Sequence, residues 1–345
     1  MERRMVSEGG SGGGSGGGFT IIEMLTVIAI ITLLMGMLLP ALSGAKKSSQ
    51  KMKELSALRQ IGVAWNQYAL SHGDAALPGF IEPEVQEAWR AEYEFIDSSV
   101  IPPAPSTPNG AWSPDDNLAG PWTWRLLPYL DYNHQMVHGH TDEPAFERTS
   151  MTLNDIIANP KLFAEAKRMA YEPGFGYNAL YVGGWWEMTP TEGAGTPIPR
   201  YKFYDATADL DGDLTIGSEE YARVVVRSVA QIRRSTELVI FCSSSAAFKP
   251  ETVYDKVRDT LPGAHWISPS RLGDKDQWKL HEVLGVRQSE AIIEVLTKRP
   301  APIGRYTGNA AVLYADGHTN AVLPGKLTDQ RAFIDIADKA NFEHR

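Results

Sequence analysis

Gly18-Phe19-Thr20-Ile21-Ile22-Glu23 opens an apolar run that continues to Leu42, and the rest of the chain is read outward from it. From Phe19 through Leu42 there are 24 residues and one charge, the carboxylate of Glu23. A helix of that length covers about 36 Å at roughly 1.5 Å per residue, and a bilayer's hydrocarbon core is about 30 Å thick. The segment is therefore long enough to cross a membrane. A plain anchor gives no reason for a carboxylate so early in its apolar run, because an ionised group in hydrocarbon is costly unless paired.

The hexapeptide resembles the processing site of type IV prepilins and of the pseudopilins of type II secretion. In that family a membrane peptidase cuts after the glycine, here Gly18, and N-methylates the new first residue, here Phe19. The family's mature chain has Glu at its fifth position and commonly Pro at its twenty-second. Counted from Phe19, these are Glu23 and Pro40. The resemblance covers roughly residues 1 to 73 and implies an inner-membrane protein with one span and an extracytoplasmic globular domain. After assembly it would lie in a periplasmic or cell-surface filament. The implied partners are the prepilin peptidase, the membrane, and other pilin or pseudopilin subunits met through the N-terminal helix.

Three segments are expected: a leader over 1–18, an assembly helix over 19–73 and a globular domain over 74–345. The glycine-rich leader reads as flexible and extended, suited to a protease site. An ordinary secretory signal places its small-residue cut site after the apolar region, whereas here Ser11 to Gly18 precede it. Hydrophobic content of 43% and charged content of 22% suit a folded remainder. Net charge is −9, and Glu2 and Glu8 cancel Arg3 and Arg4, so residues 19–345 also carry −9. That balance disfavours nucleic-acid binding. The single cysteine, Cys242, lies in an apolar stretch and reads as a buried strand residue.

After Pro40 the run gives way to an amphipathic pattern. Leu55, Leu58, Gly62, Trp65 and Ala69 recur at spacings of 3, 4, 3 and 4, one stripe on a helix. Pro40 is expected to kink or loosen the helix, and Gly73 to cap its C-terminus. Lys46, Lys47, Lys51 and Lys53 are placed to meet lipid headgroups. A short helix is expected around Val85 to Phe95, and strands over 222–230 and 237–243. Ala310–Ala315 and His318–Leu323 read as a hairpin around Asp316-Gly317. The fold class is α+β: a long N-terminal helix, half hydrophobic and half amphipathic, packed on an antiparallel β-sheet with loop-rich insertions.

Further resemblances point to a large bacterial family of pilin-like proteins. Trp124-Arg125-Leu126-Leu127-Pro128-Tyr129 is similar to one of that family's recurrent segments, and Gly176-Tyr177-Asn178 and Gly183-Gly184 to its middle region. The family's C-terminal Asp-Gly hairpin usually follows a His nine residues ahead of it. Tyr306 stands at that place here, so this chain departs from the pattern.

Asp209, Asp211, Asp213, the Thr215 carbonyl and Glu220 occupy positions 1, 3, 5, 7 and 12 of an EF-hand-type loop, which marks a candidate Ca²⁺ site. Leu214 replaces the glycine usual at the sharp turn. An acidic solvated loop is the alternative. His134, His138 and His140 invite a transition-metal or hydrolase reading, with surface or capping roles favoured instead. Trp112, Trp122, Trp124, Trp185 and Trp186 read mainly as packing residues, less readily as a sugar-stacking platform. Outside the leader there is no Gly-x-Ser-x-Gly, phosphate loop or Cys-x-x-Cys, so enzymatic activity is not expected. The leading expectation is a prepilin-like structural subunit. The alternative is a membrane-anchored ligand-binding protein, carbohydrate-binding among the options, that does not polymerise.

Overall fold

A computed structural model describes residues 20–89, 93–94, 100–101, 118–138, 158–189, 197–201, 225–245, 263–267, 271–272, 275–276, 279–281, 292–294, 300–306 and 308–337. The chain divides into two compact units, Met1–Lys47 and Ser48–Arg345. One helix, α1 (Ile21–Ser71), contributes to both.

Within the first unit, α1 is apolar and unburied, with Ile21 80% and Leu42 68% exposed. Helical structure continues through Pro40 without a break. From Lys51 onward the same helix has a buried face: Glu54, Ala57, Leu58, Ile61, Gly62, Ala64, Trp65, Tyr68 and Ala69. The expected stripe is thus present, with Leu55 at its half-buried margin. Lys51 departs from its expected place beside lipid. It is buried in the second unit because its Nζ donates to the Asn309 carbonyl and lies 3.7 Å from Glu54.

The helix ends as the glycine at 73 predicts. Gly73 has φ +63°, and the Asp74 N–H donates back to Ala69 O at 2.7 Å, a Schellman-type closure. Asp74 is itself left-handed, at φ +71°. Its carboxylate accepts from the Ser228 hydroxyl and from the Ala230 N–H, which ties the helix end to the segment around 228.

Among the described residues four shorter α-helices follow: α2 (Pro83–Trp89), α3 (Trp122–Leu126), α4 (His134–His138) and α5 (Pro160–Tyr171). The strands in chain order are β1 (Phe80–Ile81), β2 (Tyr93–Glu94), β3 (Val100–Ile101), β4 (Phe175–Tyr177), β5 (Trp185–Thr189), β6 (Ile198–Tyr201) and β7 (Val239–Ser245). After these come β8 (Arg271–Leu272), β9 (Lys275–Asp276), β10 (Lys279–His281), β11 (Ile292–Glu294), β12 (Ala301–Pro302), β13 (Ala310–Tyr314) and β14 (Thr319–Val322).

The main sheet has five strands, all pairs antiparallel. β7 is its hub and pairs with β4, β12 and β13, while β13 also pairs with β14. Leu238 to Cys242 are fully buried, as a β-branched and aromatic run on a central strand should be. A second sheet has the order β1-β5-β6, with β1 parallel to β5. The amphipathic part of α1 lies on the main sheet. A Cβ on Gly62 would come within 3.0 Å of the Leu313 side chain on β13, so the absence of one permits the close approach.

The hairpin forms as expected but turns through three residues rather than two. The Gly317 N–H donates to Tyr314 O, Gly317 has φ +89°, and the Tyr314 N–H donates to His318 O. This is a tight turn closed by a left-handed glycine. β14 lies at the end of the strand order. Along its outer edge the Ala321 N–H is accepted by its neighbour's side-chain oxygen, Asn320 Oδ1, at 2.7 Å. Just beyond the strand, Leu323 O accepts the Lys326 N–H.

Two expectations are corrected. Among the described residues of 222–230 there is no continuous strand. Val226 makes one isolated bridge to Val182, and Val229–Gln231 is a 3₁₀ turn. A capping box between Ser228 and Gln231 starts that turn and outweighs the strand preference of the valines. The helix expected around Val85 to Phe95 ends at Trp89, and Tyr93–Glu94 is strand instead.

Candidate functional site

Two places hold polar groups of functional interest: the first turn of α1 and a buried polar cluster beneath its second half. In the first turn, Thr20 is the N-cap. Its N–H and its hydroxyl each donate to Glu23 Oε2 at 2.9 Å, and the Glu23 N–H donates to Thr20 Oγ1 at 3.3 Å. This is a reciprocal capping box, which satisfies two of the orphan donors at a helix start. Thr20-x-x-Glu23 was readable as such in the sequence, and the sequence reading passed over it. Glu23 therefore has a local structural role besides any role toward a partner. Gly18 and Phe19 lie outside the described residues.

The buried cluster is built from α1, β7 and the segment leading into β13. Lys51 and Glu54 are 6% and 1% exposed. The Ser243 hydroxyl on β7 donates to Glu54 Oε1 at 3.4 Å and accepts the Ala311 N–H at 3.0 Å. Burial pushes the Glu54 carboxyl up, opposed by Lys51, Arg305 and the Ser243 hydroxyl. Burial likewise pushes the Lys51 ammonium down, opposed chiefly by Glu54. Arg305 is itself buried and donates to Ser244 O.

Two further buried polar side chains hold backbone in place. Arg125 donates to the carbonyls of Ala119, Pro78 and Gly120 at 2.7, 2.7 and 3.0 Å. Asn178 donates to Val239 O and Phe333 O at 3.0 and 2.7 Å. These residues fall in the segments singled out by the softer family resemblance, and here they act as staples of the core.

His134 and His138 are not the surface residues expected. His134 and His138 are 9% and 6% exposed on α4, and Trp124 meets His134 edge-to-face. Burial, helped by the charges of His134 and Arg168, lowers His138 to about 4. His265, which the sequence reading did not single out, is also buried among Phe80, Tyr171 and Trp185, and burial lowers it to about 4. His140 lies outside the described residues. Among the described residues no group of three or more His, Cys, Asp or Glu side chains is placed to hold a metal ion.

Trp122, Trp124 and Trp185 are buried in the core rather than set out as a stacking platform, and Trp186 is half-buried edge-to-face against Trp89. Trp112 lies outside the described residues. Cys242 is buried on β7, and burial pushes its thiol well up, the opposite of what a nucleophile requires. Asp209, Asp211, Asp213, Thr215 and Glu220 all lie outside the described residues. The second unit also has an open groove of about 590 Å³ beside β14, lined by Lys326 and by the ion-paired Arg234–Glu237 and Arg331–Asp329 among others.

Comparison of the chain with protein-family models, with curated proteins and with solved structures finds no match. Among the described residues one helix, near the N-terminus, is long and apolar enough to cross a membrane.

Proposed function

We propose that the chain is a prepilin-like structural subunit, cut after Gly18, N-methylated at Phe19, and assembled into a pilus-like or secretion-pseudopilus-like filament through α1. The observation that carries this reading is Glu23, a carboxylate held in the first turn of a helix half that is otherwise apolar and unburied. A lone carboxylate in an apolar bundle is costly, and a methylated amine at the Phe19 of a neighbouring subunit would compensate it. The partners under this reading are the prepilin peptidase, the membrane, and other pilin or pseudopilin subunits. The globular part would be extracytoplasmic.

The test is co-expression with the cognate peptidase, followed by N-terminal sequencing, mass measurement and imaging of sheared filaments. A mature chain that begins at Phe19 with one added methyl and appears in filaments supports the proposal. A chain that keeps residues 1–18 in the presence of its peptidase overturns it. A processed chain absent from every filament favours the anchored ligand-binding reading. One observation speaks for that second reading, the open groove beside β14. Trp122, Trp124 and Trp185 are buried and offer no stacking surface to a carbohydrate.

A further inference from the structure

Lys51 and Glu54 are the first two buried residues of α1. Every later buried position on that face is apolar, or is glycine. An ion pair is a poor choice if stability alone is at stake, because two charges leave water for an attraction that barely offsets the loss. Glu54 Oε2 shows how thin the compensation is. It has no hydrogen-bond partner and faces Lys51 Nζ only at 3.7 Å. The pair nevertheless meets polar groups at fixed places on the sheet side: the Asn309 carbonyl for Lys51, and the Ser243 hydroxyl with the Arg305 charge for Glu54.

Trp65, which donates to Tyr177, and Gly62, which makes room for Leu313, also mark a position on α1, but the rest of its apolar face offers no comparable address. Ala57, Leu58, Ile61, Ala64, Tyr68 and Ala69 recur at steps of one, three and four, so a helix slipped by one turn brings apolar groups back against apolar groups at most places. Hydrophobic burial has no direction and tolerates such repacking. A slip would strand Lys51 and Glu54 away from Asn309, Ser243 and Arg305, leaving buried charges uncompensated. We infer that the Lys51–Glu54 pair is a register pin, which holds the second half of α1 in one axial position on β7 and β13. The inference goes beyond the assembly reading and does not depend on it. It would serve assembly, since every copy in a repeating structure must present its helix in the same way.

The experiment uses the full chain in detergent with spin labels on cysteines at Gln60 and Lys326, both exposed; Cys242 is fully buried and escapes labelling. The parent should give one interlabel distance. The double variant Lys51→Met/Glu54→Leu should fold with an unfolding temperature equal to or above the parent's. It should show a second distance or a broadened distribution, consistent with displacement by one turn, about 5.4 Å. Glu54→Gln, which keeps a side chain able to meet Ser243, should retain the single distance. One sharp, parent-like distance in the double variant would show that apolar packing alone sets the register and would overturn the pin. Failure of the double variant to fold would also overturn it, because a pin is dispensable for folding as such. Neither result bears on processing at Gly18, so the two proposals fail separately.

Discussion

The indole N–H of Trp65 on α1 donates to the phenolic oxygen of Tyr177 on β4 at 3.2 Å, with both side chains buried. The pair joins the apolar part of the helix face to the sheet by a directional contact, as Lys51 and Glu54 do further toward the N-terminus. Tyr177 is held neutral, because burial pushes its phenol far above the ordinary range.

Tyr177→Phe removes the acceptor and leaves a buried indole N–H unsatisfied, a loss of about 1–3 kcal/mol. For a unit of this size that lowers the unfolding temperature by about 2–4 °C per kcal/mol. Thermal unfolding of the detergent-solubilised chain checks it, and an unchanged midpoint would mean the bond contributes nothing net.

Glu23 has two separable roles, and two substitutions divide them. Glu23→Gln keeps a capping-box side chain and removes the charge. It should insert in the membrane normally and lose filament assembly. Glu23→Ala loses both and should also fray the first turn, at a cost of about 1 kcal/mol. Normal assembly by Glu23→Gln would show that the carboxylate is there for the cap alone.

His138 and His265 make the second unit acid-sensitive. Each has a folded value of about 4 against an ordinary 6.5, so the unfolded chain binds more protons between those values. Stability is fully present above about pH 6.5, declines as the pH falls, and stops declining on their account below about pH 4. The shift corresponds to about 3 kcal/mol for each histidine. His138→Leu should flatten the slope of stability against pH over that window by up to one proton. Denaturant unfolding at several pH values provides the measurement, and an unaltered slope would count against the assignment.

The acidic loop gives the last prediction. Asp209, Asp211, Asp213 and Glu220 bring four formal negative charges into twelve residues. A bound Ca²⁺ would relieve that repulsion and stabilise the fold by mass action. Leu214 at the glycine position should weaken binding, which extracellular modules tolerate at roughly 10⁻⁴ to 10⁻³ M. Millimolar Ca²⁺ should raise the unfolding temperature of the parent and leave Asp211→Ala unmoved. Indifference of the parent to Ca²⁺ would reduce the stretch to an acidic loop.

What could be read in the sequence was what depends on near neighbours. The apolar run from Ile21, the stripe through Leu58, Trp65 and Ala69, the stop at Gly73 and the hairpin around Asp316-Gly317 all follow from local period or turn chemistry. The segment around Val225 was misread because a run of valines speaks for strand, while the Ser228–Gln231 box three residues later speaks for a turn. The Thr20–Glu23 box carried the same kind of signal and was passed over in favour of a partner for the carboxylate. Lys51 and Glu54 continue the stripe at steps of four and three before Leu58, which Lys53 does not, so their place on the buried face was readable and was overruled by their charge. What they and the histidines His134 and His138 meet was not legible, since the partners lie far off in the chain: Glu54 meets Ser243, 189 positions away.

The outer edge of β14 has a consequence for chains crowded together. A bare strand edge is a template on which a neighbour's backbone can add and propagate. Here Asn320 occupies the amide of Ala321, and the Lys326 N–H occupies the carbonyl of Leu323 just past the strand, so part of the template is taken up from within the same chain. Each such self-made bond leaves a neighbour's backbone one place fewer to add by sheet-to-sheet growth.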